Sequence, residues 1–105
     1  MNQTKLKRQL LSLIDGENEI ELEKVERYCN LVKIYKKLDQ SLKDNGYMIE
    51  VRNGAQTFLK ANSAIGEKVK INQALIKLGE FFDKKQAELE ASKEKTNFAN
   101  PSDFL

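Results

Sequence analysis

Among 105 residues there is no histidine and a single cysteine, Cys29. The commonest general base and the commonest metal ligand are therefore missing. One thiol alone cannot close an internal disulfide, and on an apolar stripe it behaves as a small hydrophobe. Carboxylates are plentiful, and Asp15, Glu17, Glu19, Glu21, Glu23 and Glu26 even run together. None of them form the spaced set that acid–base work or a metal ion needs. The stretch ANSAIGEKVK, residues 61–70, has something of a phosphate loop. It lacks the first glycine of G-x-x-x-x-G-K-[ST], and Gly66 is followed by Glu67 where the lysine belongs. The expectation is a chain that is not an enzyme, with no catalytic residues, no metal site and no cofactor.

The chemistry that remains is electrostatic. Net charge is only +2 but is unevenly distributed. Lys5, Lys7 and Arg8 face no acid within the first fourteen residues. The acidic run to Glu26 is answered by Lys24 alone, and from Arg27 to Lys85 twelve bases outnumber six acids. Such asymmetry permits contact with a polyanion without demanding it. The candidate phosphate contacts are Lys5, Lys7 and Arg8, then Lys33, Lys36 and Lys37, then Arg52 and Lys60. A solvated helix face or an exposed strand is the plain alternative for each group. Tyr28 and Tyr35, at helical spacing, read as interhelical packing rather than base-stacking groups.

The positioning elements are mainly helical. Residues 1–15 predict a short first helix with Leu6, Leu10, Leu11 and Ile14 on one side. Residues 17–45 predict a long helix, because Val25, Tyr28, Val32, Tyr35 and Leu42 recur at three- and four-residue steps. Acids lead and bases follow along it, as the helix dipole favours. Gly46 suits its C-terminal cap. Residues 47–60 then alternate as strands do, with Asn53-Gly54 as a two-residue hairpin turn. A second long helix follows over 62–90, opened by Asn62 or Ser63. Its stripe is Ile65, Val69, Asn72, Leu75, Ile76, Gly79 and Phe82. Gly79 costs about 1 kcal/mol relative to alanine in a helix interior, which a close helix–helix approach or a bend would justify. Residues 96–105 read as a flexible tail with a short apolar element. One domain is expected: a long antiparallel helical hairpin with a small β-hairpin inserted between its arms.

Two helices alone cannot surround a core, and these stripes are wider than one partner helix covers. An isolated β-hairpin is marginal in water and must lean on the helices or on another subunit. The surplus apolar surface predicts a homo-oligomer. Its interface would draw on Val25, Tyr28, Val32, Tyr35 and Leu42, on Ile49, Val51 and Phe58, and on Ile65, Val69, Ile76 and Phe82. No apolar run approaches the roughly 20 residues that cross a bilayer. The lone cysteine and the charged N-terminus, too polar for a secretory signal, point to a reducing intracellular compartment.

The run ERYCNLVKIYKKLDQSLKDNGYMIEVRNGAQTFLKANSAI resembles the small subunit of bacteriophage terminase, in its short-chain family. The likeness rests on Arg27-Tyr28, Tyr35-Lys36-Lys37-Leu38, Gly46, Ile49-Glu50-Val51, Asn53-Gly54, Asn62-Ser63-Ala64-Ile65 and Leu75 to Gly79. It spans about residues 24–79, and its weight lies in the order and spacing of these pieces. Ser63 stands where the family usually has proline, and Glu80-Phe81-Phe82-Asp83 continues where the family often stops. The resemblance implies recognition of viral double-stranded DNA, assembly into a ring, and delivery of DNA to a large terminase subunit that holds the ATPase and nuclease. The setting would be the host bacterial cytoplasm. The alternative is a helical-hairpin oligomeric adaptor without DNA binding.

Overall fold

The computed structural model describes residues 3–98, with side chains to residue 94. Its elements are α1 (Gln3–Leu13), α2 (Glu19–Asn45), β1 (Met48–Asn53), β2 (Gln56–Ala61) and α3 (Ala64–Phe98). The expected order is therefore present: a mainly helical chain with an antiparallel hairpin between its two long helices. The molecule is a rod, 85 × 28 × 21 Å.

Asn18 starts α2, its side-chain oxygen accepting from the amides of Ile20 and Glu21. That satisfies donors that the first turn of a helix leaves free. Gly46, at φ +80°, ends α2, and its amide donates to the Leu42 carbonyl. α3 runs past residue 90 to Phe98. The apolar periodicity fades there, but Lys, Gln, Ala and Glu are strong helix formers and carry it without burial. Residues 96–98, expected in the tail, are thus helical, and residues 99–105 lie outside the described part.

α1, α2 and α3 meet around one lean core of Leu10, Val25, Cys29 and Phe82. Leu6, Leu13, Ile14, Tyr28, Leu78 and Phe81 pack against it. Phe82 takes Tyr28 and Phe81 edge-on, with ring centroids 5.4 and 5.1 Å away, the arrangement that ring quadrupoles favour. Gln3 Nε2 donates to the Cys29 carbonyl at 2.5 Å and ties the start of α1 to α2. Ion pairs join the elements: Lys7 with Glu26 at 2.6 Å, Lys85 with Glu21 at 2.9 Å, and Lys68 with Asp39.

The hairpin pairs Met48 with Ala61 through Asn53 with Gln56. This moves the turn by one residue from the expected Asn53-Gly54. Asn53 closes the ladder, and Gly54-Ala55 is the two-residue loop. Of the two loop residues Gly54 alone has positive φ, +64°, which suits the turn with glycine first. The hairpin scarcely touches the helices; every residue of β2 is exposed. Its root is held instead by Asn62, which is buried. The Asn62 amide donates to the Tyr47 carbonyl at 2.7 Å, and Nδ2 donates to the Gly46 carbonyl at 3.0 Å. The Asn62 side-chain oxygen accepts from Ala64 N at 3.0 Å, opening α3.

Gly79 faces Tyr28, and a Cβ placed there would lie 3.7 Å from the ring, an ordinary contact. The close approach exists, yet it does not require glycine. Gly79→Ala is therefore expected to raise stability by up to about 1 kcal/mol through helix propensity, read as an upward shift of the thermal midpoint. A lower midpoint would show that Tyr28 cannot accept the methyl group.

Alkaline pH probes the same contacts. Glu26, Asp39 and Glu21 hold Lys7, Lys68 and Lys85 above the ordinary lysine value. Folding favours their charged forms, so this stabilisation is complete below about pH 10.5 and is lost as pH rises through the folded values. Burial likewise raises the Cys29 thiol above its ordinary value of 9.0. The unfolded thiol ionises first, and stability falls as pH passes that point. The urea midpoint is expected to hold up to about pH 9 and then decline. Cys29→Ala removes the early part of that decline and leaves the later, lysine part. A midpoint that climbs with pH over this range would contradict the assignment.

Candidate assembly and nucleic-acid surfaces

Two kinds of surface are present, one basic and one apolar. On α2, Glu26, Lys33 and Lys37 are separated by seven and four residues, close to whole helical turns. They share a solvent-facing side, and all three are exposed. Lys7 reaches this side from α1 through its pair with Glu26. The fold thus lines up Lys7, Lys33 and Lys37 over about 17 Å of helix. Lys36 is half-buried toward the flank of this row, and Lys5 and Arg8 are exposed on α1.

The N-terminal trio is less free than its sequence implies, because Glu26 already answers Lys7. That hydrogen bond is the chief reason the Lys7 pKa is raised. A phosphate at Lys7 must compete with a carboxylate. The hairpin cations are also not brought together. Arg52 pairs with Thr57 and Lys60 with Ile49, which puts the two cations on opposite faces of the ribbon.

The expected interface residues divide sharply. Val25 is 0% exposed, and Val32 and Phe82 are also buried. They are spent inside the single chain and cannot meet a second copy without unfolding it. Tyr28 is half-buried against Phe82 and Gly79. What stays outside is a row on α3: Ile65, Val69 and Ile76, with 37, 53 and 60% of their surface exposed. Asn72 sits within the row at helical spacing. Two grooves meet at Asn72. One, of about 730 Å³, runs between α1 and α3 past Tyr28 and Gly79. The other, of about 280 Å³, is walled by Tyr35, Leu42, Tyr47, Ile65 and Val69. On the hairpin, Ile49, Val51 and Phe58 share one face, while Met48 and Leu59 occupy the other. Phe58, Met48, Leu59 and Tyr47 are all exposed.

Sequence reasoning missed the second hairpin face and the staple role of Asn62. Strand parity alone would have revealed the first. The second depends on carbonyls sixteen residues away, which no local pattern shows. Among the described residues no group of histidine, cysteine or carboxylate side chains could hold a metal ion. No described helix is long and apolar enough to cross a membrane.

Residues 8–83 match the family model described as phage terminase, small subunit. Neither a curated protein nor a solved structure gives a match. The matched span takes in the second half of α1, all of α2, the hairpin and α3 as far as Asp83. The chain belongs to the phage terminase small subunit family, and its role lies in phage DNA packaging.

Proposed function

We propose that this chain is a non-enzymatic recognition and assembly component. It oligomerises, as a ring, binds viral double-stranded DNA, and delivers that DNA to the large terminase subunit in the host bacterial cytoplasm. The observation that carries the reading is the uncovered row Ile65, Val69 and Ile76, continuous with grooves on both sides of Asn72. Apolar surface in contiguous rows is usually covered by a partner. A second copy supplies the same row, and Asn72 within it offers an amide that can pair only in one alignment, the device by which buried asparagines fix register. The hairpin, held at its root and with Phe58 exposed on one face and Met48 and Leu59 on the other, extends the contact toward a neighbour.

DNA is assigned to the opposite character of surface. Lys33 and Lys37 lie on a solvent face with Lys7 nearby, and Lys5, Arg8, Lys36, Arg52 and Lys60 add further candidate contacts. Assembly multiplies a weak basic strip into an array, which raises avidity without any new contact.

Three measurements test this reading. Native mass is expected to show a closed assembly of several copies, and Ile76→Asp with Val69→Asp is expected to reduce it to single chains. Deleting residues 48–59 behind a short linker is expected to disrupt it as well. Binding to nonspecific duplex DNA is expected to weaken steeply between about 50 and 200 mM salt, and Lys33→Glu with Lys37→Glu to lower the logarithmic salt slope by about 2 per chain engaged. Salt-independent or absent DNA binding would leave the adaptor reading in its place. A monodisperse single chain would remove assembly.

A further inference from the structure

On the flank of α3 away from Ile65, Val69 and Ile76, α2 and α3 leave a second kind of groove, of about 430 Å³. Leu31, Ala74, Leu78 and Phe81 form its apolar walls, and Lys24, Arg27 and Lys77 stand around it. The Lys24 ammonium lies 4.3 Å from the centre of the Phe81 ring, and Lys85 approaches the same ring at 5.6 Å. Glu23 pairs with Arg27 and offsets part of that charge. The slot remains apolar within and cationic at the rim, a shape for an acidic segment that carries a large apolar side chain.

Residues 99–105, ANPSDFL, have that composition: Asp103 directly precedes Phe104 and Leu105. They cannot serve their own groove. α3 is continuous from Ala64 to Phe98, so Phe98 lies about 25 Å beyond Phe81 and about 30 Å beyond Leu78. Phe104 is six residues further on, and six residues fully extended cover at most about 22 Å. A segment from an adjacent copy has no such limit. We infer that residues 99–105 of one copy seat in the Lys24–Lys77 groove of a neighbouring copy. Phe104 then rests against Leu78 and Phe81, and Asp103 sits among Lys24, Arg27 and Lys77. The inference rests on the assembly reading above and adds a strap to it.

The test uses full chains with Cys29→Ala to remove the native thiol. One chain carries Ala74→Cys, the other a mass tag and Ser102→Cys, which keeps Asp103, Phe104 and Leu105 in place, and the two are mixed under mild oxidation. A mixed disulfide is expected to form about tenfold or more faster than with a control chain carrying Asn30→Cys, because docking raises the local concentration. Asp103→Lys on the tagged chain is expected to slow it, and Lys77→Asp on the other to restore it. Native mass is read on the same samples. An assembly without the faster link, or with a link indifferent to the charge swap, overturns the strap and leaves assembly standing. A single-chain mass overturns both.

Discussion

Among the described residues Val25 is the side chain withdrawn completely from solvent, and α1, α2 and α3 meet around it. Nearly every other feature follows from how little else is buried. Two long helices offer each other one stripe apiece, and α1 is too short to cover more than one end of their seam. Burial is worth roughly 25 cal/mol per Å² of apolar surface, so a core this lean leaves a narrow margin over the entropy of ordering a rod. Association that covers the α3 row would stabilise the folded chain by mass action as well as building an assembly.

The helices were legible because their burial is periodic. Val25, Tyr28, Val32 and Tyr35 mark α2 whatever they pack against, Gly46 closes it, and Asn62 opens α3 through a side chain that accepts from Ala64 N; the Asn18 cap that starts α2 was not read. The far end of α3 was not legible from periodicity, because nothing packs there to impose a period. The turn slipped by one residue for a related reason. Asn-Gly prefers positive φ at both turn positions, but a ladder that extends to Asn53–Gln56 needs it only at Gly54. The slip moves each pairing by two residues and so keeps the faces intact, which is why Val51 and Phe58 still share a side.

The surfaces were legible in kind and not in detail. Charge blocks can be counted in a sequence, but the neutralisation of Lys7 depends on Glu26, nineteen positions away on another helix. An amphipathic stripe likewise says that a side is apolar without saying which part another element covers. Val25, Val32 and Phe82 were consumed within the chain, and Ile65, Val69 and Ile76 were left over. Part of the difference is where α1 lies: it packs on Val25, Cys29 and Phe82 and not on the end of the seam nearer the hairpin, although Val32 is buried outside that cluster and Ile76 stays exposed beside α1.

That partial cover gives two modest ion pairs a larger part than their energies suggest. Lys68–Asp39 is partly exposed, and such a contact contributes little to stability; Lys85–Glu21 sets a half-buried lysine on a buried carboxylate. Their spacing is the informative quantity. Asp39 lies eighteen residues from Glu21 on α2, and Lys85 lies seventeen from Lys68 on α3, spans of about 27 and 26 Å. Two antiparallel helices joined at both places have one register, and sliding either by a turn breaks both pairs at once. A lean core cannot set that alignment alone, because apolar contact is non-directional. The ion pairs act as stops at either end of the seam. They hold the α3 row, the basic side of α2 and the hairpin root at fixed separations, which any repeated contact between identical copies requires.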